Sequence, residues 1–441
     1  MSDWITFGNG RKGRRSWDTD QEKVQHWQRL LAEAHGADTR PHCDCVHDGR
    51  HLELVVRRGE RLQGDRVVEA YHVARFPGQG ALHQVTCPFH ETDARRNGRG
   101  GYEEGVVREM ANGDLRVALR RGLRIRDGAV APPATAWAAG DPRHGAGGPP
   151  RQARMTELGL LHLLWERAGL NTWRPDIGRR RRWWTGVRQA LAGAANGVLT
   201  GRGQHLGDRL AMVGYGDHDG VALLRRTARE CADTWRILLL GVVDSVSLRR
   251  GRQDTDFVSV GFDGAAGYDL RVSMPRDWSA RLARRFPMAM AALSCPRGER
   301  PIRVVGLVTA SVRIGRDGEH VRIAAWADDM ALMEVEPDTL VPVASHPELT
   351  IATALVRGRR AFIKPLRYDA HRDVVHPDFV LTDTADRRGA PMEVFGRDDE
   401  AYAARREEKA RYYNAVYGRD HWWCWNAVAA PRAIPPFPPA A

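Results

Sequence analysis

The chain has 441 residues, of which 67 are Lys or Arg and 55 are Asp or Glu, and its formal net charge is +12. This length allows about three domains with a sizeable core, and it excludes a small scaffold held together by disulfides. The positive charge favours a polyanionic partner, with nucleic acid ahead of an anionic membrane surface.

Apolar stretches and cysteine positions bear on localisation. The longest apolar stretches, such as residues 237–243, are far shorter than the ~18 residues of a membrane span, so no membrane association is predicted. No apolar signal core follows Met1, which predicts a cytoplasmic protein with reduced cysteines. Three of the six cysteines lie in the first fifth of the chain, and this clustering indicates metal binding and not disulfides.

Residues 1–126 are predicted to form an α+β domain. A helix is predicted over residues 19–35, because apolar residues such as Trp27 and Leu31 recur at helical spacing. Strand-like segments follow at residues 51–58, 67–76 and 105–126. Residues 127–153 are rich in Ala, Pro and Gly and have no periodicity, so they are predicted to be a linker that ends this domain.

Three cysteines and two histidines of this domain form a candidate metal site. Cys43 and Cys45 are one residue apart, and 87 − 45 − 1 = 41 residues separate Cys45 from Cys87. His83 and His90 flank Cys87, and either could complete a set of three thiolates and one imidazole, which structural zinc takes in a closed tetrahedron. The alternative is a small core of thiols with exposed histidines. We predict structural zinc.

The middle of the chain is predicted to be a helical segment at residues 154–234 followed by a β-rich domain at residues 235–335. The helical segment contains four consecutive arginines, which are candidate nucleic-acid-binding residues because arginine neutralises phosphates. The alternative is a helical core with a solvated basic face. These residues are Arg179, Arg180, Arg181 and Arg182.

Two acidic residues near the C-terminus form a second candidate site. Three strands followed by a helix are predicted there, and the turn-rich residues 382–390 would bring Asp378 and Glu393 side by side. Two carboxylates at one point suit Mg²⁺, which takes oxygen ligands and keeps waters for a phosphate substrate. The alternative is that Asp378 ends a strand at a turn and Glu393 is an edge charge.

The order Pro377-Asp378, then Glu393-Val394-Phe395, resembles the core of the PD-(D/E)XK nuclease superfamily over residues 345–418. The resemblance implies an α/β restriction-endonuclease-like domain in which the two acids bind Mg²⁺. In that superfamily, a lysine two residues after the glutamate orients or activates the attacking water. Phe395 occupies this position here, which is a departure from the pattern.

Lysine is rare in this chain, which has only four, and two of them fall in this region. Some branches of the superfamily carry the lysine on the following helix, where Lys409 lies, and Lys364 is the other candidate. An ammonium group can exchange a proton, whereas a guanidinium is too basic to do so. Glu348 lies where the superfamily would place an additional acid.

The chain as a whole resembles the bacterial domain of unknown function 1173 family. The resemblance is carried by the three N-terminal cysteines, by a helix that leads to Asn171-Thr172-Trp173, and by the segments around Lys364, Asp378 and Glu393. Members of that family are associated with integrative and conjugative elements. The resemblance therefore implies a DNA setting and possible partner proteins of the same mobile element.

The sequence thus predicts an α+β multidomain protein: a zinc-stabilised N-terminal α+β domain, a helical and β-rich middle, and a nuclease-like domain at residues 336–430 with a Pro-rich tail at residues 431–441. The expected function is Mg²⁺-dependent cleavage of DNA. The alternative is a non-catalytic protein that binds nucleic acid or assembles with partners and retains the nuclease-like fold. Catalysis requires Lys364 or Lys409 within reach of the two carboxylates.

Overall fold

The computed structural model of this chain is a mixed α+β protein, with eight α-helices and four β-sheets among the residues that it describes. None of the helices within those residues is long and apolar enough to cross a bilayer. The predicted linker at residues 127–153 lies outside the described residues. Those residues are 4–14, 17, 22–63, 66–76, 79, 82–84, 87, 89, 106–110, 112–125, 154–177, 184–201, 203–214, 216–232, 234–251, 256–265, 269–317, 320–366, 377–386, 388–396 and 400–441.

The N-terminal region is a five-stranded antiparallel sheet covered by one helix. Its elements are β1 (Trp4–Thr6), β2 (Lys12–Arg14), α1 (Val24–Ala34), β3 (His42–His47), β4 (Arg50–Gln63) and β5 (Arg66–Arg75). The strand order is β2-β1-β3-β4-β5. Trp27 and Leu31 of α1 are buried in the core of this region, as their helical spacing predicts.

A second unit combines two strands that precede the predicted linker with helices that follow it. In chain order, this part of the chain contains β6 (Val107–Glu109), β7 (Leu115–Val117), α2 (Glu157–Arg167), β8 (Thr172–Trp173), α3 (Trp184–Asn196), β9 (Val198–Thr200), β10 (Gln204–His205), β11 (Leu210–Val213) and α4 (His218–Glu230). Strands β8 and β11 pair in other sheets. The sheet order is β10-β9-β7-β6, with β7 parallel to β9. The strand pairing therefore joins β7 to a strand more than 80 positions later along the chain.

The β-rich middle is a closed five-stranded barrel. Its elements are β12 (Ile237–Arg250), β13 (Asp256–Phe262), β14 (Leu270–Pro275), α5 (Trp278–Arg285), α6 (Pro287–Ser294), β15 (Arg303–Asp317) and β16 (His320–Val335). Strands pair in the order β12-β13-β14-β16-β15, and β15 pairs back onto β12 to close the barrel. Only β14 and β16 are parallel within this ring, and β11 adds alongside β12 in parallel.

One half of the barrel is buried on both sides, which explains why β12 starts with a continuous apolar segment. Ile237 and Leu239 face the barrel interior. Leu238 and Leu240 point the other way, into the core built by α2 and α3. The barrel is therefore held between this helical core and the C-terminal sheet, with which its interior forms one continuous apolar cluster.

The C-terminal region is a five-stranded sheet with two helices. Its elements are α7 (His346–Arg357), β17 (Phe362–Ile363), β18 (Phe379–Leu381), β19 (Ala390–Phe395), α8 (Glu400–Val416) and β20 (Trp423–Asn426). The order is β20-β19-β18-β17-β8, with β20 parallel to β19 and the other pairs antiparallel. The Pro-rich tail returns to this region, where the ring of Phe437 lies 5.3 Å from that of Trp423.

Candidate functional site

Two cysteines of strand β3 come together with His83 and Cys87, which places three thiols and one imidazole at one point. Cys43 and Cys45 both point into the core, because residues two apart on a strand share one face. His83 Nδ1 lies 3.2 Å from Cys43 Sγ and 3.6 Å from Cys87 Sγ. The four ligand atoms all lie within 4.8 Å of one another. The cluster could bind a metal ion such as zinc, and the donor set suits that metal.

The thiols of this cluster titrate together. A side-chain hydrogen bond with Cys43 lowers the pKa of Cys45 far below its usual range. The pKa of Cys43 is raised to about 11, chiefly by the same hydrogen bond, and that of Cys87 is raised far above its usual range. Cys45 is therefore the thiol of the cluster that ionises most readily. A divalent cation would allow the other thiols to ionise as well.

Of the two histidines that the sequence left open, His83 lies in the cluster formed by the described residues, and it is 3% exposed. His90 lies outside the described residues. The prediction that cysteines and a histidine near the N-terminus form a cluster that could bind a metal is confirmed.

The two acids of the C-terminal region lie side by side on β18 and β19. Phe379 pairs with Met392, so the next residues outward, Asp378 and Glu393, are neighbours across the two strands. The backbone N–H of Val394 donates to Asp378 Oδ2 at 2.8 Å.

Glu393 is enclosed by two residues of α8. Lys409 Nζ donates to both carboxylate oxygens of Glu393, at 2.8 and 2.9 Å. The hydroxyl of Tyr413 donates to Glu393 Oε1 at 2.8 Å. The sequence did not single out Tyr413 as a member of the site. Its signal was the four-residue spacing from Lys409, which places both side chains on one face of a helix.

Burial dominates the electrostatics of Glu393, which is 1% exposed. Burial raises the pKa of Glu393 to about 8, the charge of Asp378 adds to this rise, and Lys409 opposes it. Burial and the Glu393 carboxylate likewise raise the pKa of Tyr413. This raised pKa already includes the opposing effect of Lys409, so near neutral pH the Glu393 carboxyl is inclined to hold a proton. A divalent metal would favour its ionised form.

The other two predicted residues form a separate buried pair. Lys364 Nζ donates to Glu348 Oε2 at 2.6 Å and lies 4.9 Å from the centre of the Phe379 ring. The backbone N–H of Ala344 donates to the same Glu348 oxygen at 2.9 Å. Lys364 thus has Glu348 as its carboxylate partner, and Lys409 has Glu393.

Phe395, at the usual lysine position of the nuclease pattern, is buried in β19. Arg179, Arg180, Arg181 and Arg182 lie outside the described residues.

The fold and these clusters define a mixed α+β protein with a thiol-rich candidate metal centre and a buried glutamate, Glu393, that accepts hydrogen bonds from a lysine and a tyrosine. Residues 14–428 match the family model described as "Protein of unknown function (DUF1173)". The chain belongs to this family, as the resemblance in its sequence predicted.

Comparisons with other proteins add little to this assignment. No curated protein matches the chain. A structural similarity is found to a mitochondrial single-stranded DNA binding protein from S. cerevisiae, Rim1, with 9% sequence identity and a TM-score of 0.15. It covers 22% of this chain and 95% of that chain. A TM-score this low carries no conclusion about this protein.

Proposed function

We propose that this protein acts on nucleic acid as a Mg²⁺-dependent nuclease of the PD-(D/E)XK type, with DNA of a mobile element as its substrate. The observation that carries the proposal is the position of Lys409, whose Nζ lies 2.8 and 2.9 Å from the carboxylate oxygens of Glu393. Phe395 stands where the superfamily has its lysine. Lys409 supplies from α8 the ammonium group that is missing at that position.

The order of elements around the acids supports the same proposal. Helix α7 is followed by the antiparallel strands β17, β18 and β19, then by α8 and by β20, which is parallel to β19. This series contains the three strands followed by a helix that the sequence predicted around the two acids. It places Asp378 and Glu393 at adjacent positions of two neighbouring strands.

In this proposal, Asp378 and Glu393 hold Mg²⁺, which when bound stabilises charge on the phosphate oxygens. Asp378 Oδ1 has no hydrogen-bond partner within the described part of the chain, so it can serve as a ligand. Lys409 orients the attacking water, and Tyr413 holds the Glu393 carboxylate in place. The Lys364–Glu348 ion pair joins α7 to the segment after β17 next to this site. Arg179–Arg182 neutralise phosphates of the substrate.

The N-terminal cluster has a structural role in this proposal. Its three thiols and His83 would fill a tetrahedral zinc site, with no position left for substrate. Zinc there would stabilise the five-stranded N-terminal sheet and not take part in cleavage.

A second candidate function is nucleic-acid binding without catalysis. The observation that favours it is the enclosure of Glu393, which is 1% exposed and already accepts hydrogen bonds from Lys409 and Tyr413. A carboxylate satisfied in this way can serve as a structural ion-pair partner instead of a metal ligand.

The deciding experiment is cleavage of labelled linear, nicked and single-stranded DNA, and of RNA, with Mg²⁺ or Mn²⁺. The intact chain is compared with Asp378→Asn plus Glu393→Gln, which keeps the shape of both side chains. Glu407→Gln, an exposed acid of α8, is the matched control for the change in charge. Lys409→Arg and Lys409→Met test the ammonium group separately.

The nuclease proposal expects metal-dependent cleavage that Glu407→Gln retains and the double variant loses. It also expects that Lys409→Arg fails to restore the activity lost in Lys409→Met, because a guanidinium cannot exchange a proton with water. Absence of cleavage on every substrate, with salt-sensitive binding unchanged in the double variant, would favour the non-catalytic function.

A further inference from the structure

The barrel has the strand order of a fold that binds oligonucleotides or oligosaccharides in other proteins. Counted along the chain from β12, its five strands pair in the order first, second, third, fifth, fourth, and the fourth closes on the first. The third and fifth strands, β14 and β16, are the parallel pair, and α5 and α6 lie between the third and fourth. This is the topology of the OB-fold, in which the face of the second and third strands binds oligonucleotides or oligosaccharides.

The corresponding face of this barrel is open. The outward residues in the first half of the barrel are covered by the helical core, including Leu238, Leu240, Val305 and Leu307. By contrast, the outward residues of β13 and β14 are half-buried or exposed, apart from Ser273, which is 9% exposed, while inward residues such as Val258 and Val272 are buried. The outer side of β13, β14 and the adjoining part of β16 has no helix packed against it in the described structure.

Trp326 of β16 stands on this open face. It is 50% exposed, and its indole makes no ring contact and no hydrogen bond with any residue in the described ranges. Its direct neighbours are small: Ser273 of β14 on one side and Ser311 of β15 on the other. Ser259 of β13 lies beyond Ser273 in the same row. Because these neighbouring serine side chains are short, one face of the indole ring is free to stack on a planar group.

Two arginines lie in the row of the sheet next to Trp326. Arg271 and Arg313 are both exposed, and both pair with Ala324, which is two residues before Trp326 on the same side of β16. The nearby carboxylate of Asp328 is neutralised, because Arg236 Nε donates to it at 2.7 Å. The face therefore presents positive charge beside a single exposed aromatic ring.

We propose that this face, defined by Ser259, Arg271, Ser273, Arg313 and Trp326, binds single-stranded nucleic acid. A base would stack on Trp326, and the flanking phosphates would contact Arg271 and Arg313. A duplex cannot present its bases to such a ring, because they are already stacked and paired. The positive charge favours a polyanion over a neutral oligosaccharide, and one aromatic ring among serines is too small an apolar area for a typical protein interface.

This inference extends the nucleic-acid setting of the proposed function, on which it rests, and it is independent of cleavage. The nuclease proposal can fail while the barrel still binds, and the reverse also holds. The test therefore measures binding alone, in the full-length Asp378→Asn plus Glu393→Gln background without added divalent metal.

The experiment measures fluorescence anisotropy of a labelled oligothymidylate of about 20 nucleotides, which exceeds the site size of one OB-fold. An oligouridylate and a DNA duplex of the same length form the other arms. We expect Trp326→Ala to weaken single-strand binding about tenfold or more, and Trp326→Phe to retain most of it. We expect Arg271→Ala to reduce the slope of log K against log salt by about 0.7. Arg226→Ala, an exposed arginine on α4, is the charge-matched control and should leave the slope nearly unchanged.

Comparison of the oligothymidylate and oligouridylate arms distinguishes DNA from RNA, and dependence on Trp326 in either arm supports the proposal. Equal single-strand affinity for the parent and Trp326→Ala would overturn it, and so would a parent that prefers the duplex. Self-association that depends on Trp326, seen by sedimentation without any single-strand binding, would identify the face as a protein interface and overturn it too. Circular dichroism melting of each variant confirms that a loss of affinity is not a loss of fold.

Discussion

Glu157 is a buried acid whose ionisation we expect to make the stability of the fold depend on pH. It is the first residue of α2 and is 5% exposed. Its Oε1 accepts a hydrogen bond from Thr309 Oγ1 of the barrel at 3.0 Å. Asp329, which is fully buried, lies nearby, with Arg285 Nη1 3.7 Å from its Oδ1. Burial raises the pKa of Glu157 from 4.5 to about 7, and the charge of Asp329 adds to the rise.

The direction of the pH effect follows from this raised pKa. In the pH range between the two pKa values, the folded chain holds a proton on Glu157 that the unfolded chain has released. The associated stability is fully present below about pH 4.5 and is lost as the pH rises through about 7. At about 1.4 kcal/mol for each pH unit between the two pKa values, the total loss is about 3 kcal/mol, and most of it falls between pH 5 and pH 8.

Glu157→Gln removes the titration while it keeps an oxygen for the Thr309 hydroxyl. We expect the free energy of unfolding of the variant, relative to the parent, to rise by about 2–3 kcal/mol from pH 5 to pH 8. Urea unfolding followed by circular dichroism measures this difference at each pH. Glu33→Gln, an exposed glutamate of α1, controls for the change in charge. A difference between Glu157→Gln and the parent that is the same at pH 5 and pH 8 would refute the reasoning.

Two further predictions concern the metal cluster and a helix contact. Cys45→Ser should reduce the zinc content of the purified protein from about one ion to near none. It should also destabilise the N-terminal region, because structural zinc contributes about 10–16 kcal/mol of binding free energy. Elemental analysis measures the zinc content, with Cys231→Ser as the control, and equal zinc in both variants would contradict the prediction. Gly220→Ala should lower the melting temperature, since a Cβ there would lie 1.9 Å from the carbonyl oxygen of Met212. Gly193→Ala is the control, because no atom lies within 4 Å of the added Cβ on α3, and it should stabilise the helix by about 0.5–1 kcal/mol. A similar change of melting temperature for both substitutions would argue against the close contact between residue 220 and Met212.

Local sequence patterns were enough for some of these features. The one-residue spacing of Cys43 and Cys45 on a strand places both thiols on one face, so the sequence predicted most of the metal cluster. Helical spacing likewise predicted the buried face of α1. Membership of the DUF1173 family was also predictable, because the residues that carry the resemblance are spread over the whole chain. The choice of His83 depended on where a segment some 40 residues away folds back onto β3.

The tertiary structure decided which distant strands pair, because strand pairing depends on edges and register that no local period encodes. It placed β8 at the edge of the C-terminal sheet and closed the barrel by pairing β15 with β12. The same long-range packing enclosed Glu393 between Lys409 and Tyr413 and left Trp326 exposed. The sequence by itself therefore determined the residue types available for chemistry and the faces on which local spacing puts them. The tertiary structure determined which of them meet, because those contacts join segments far apart along the chain.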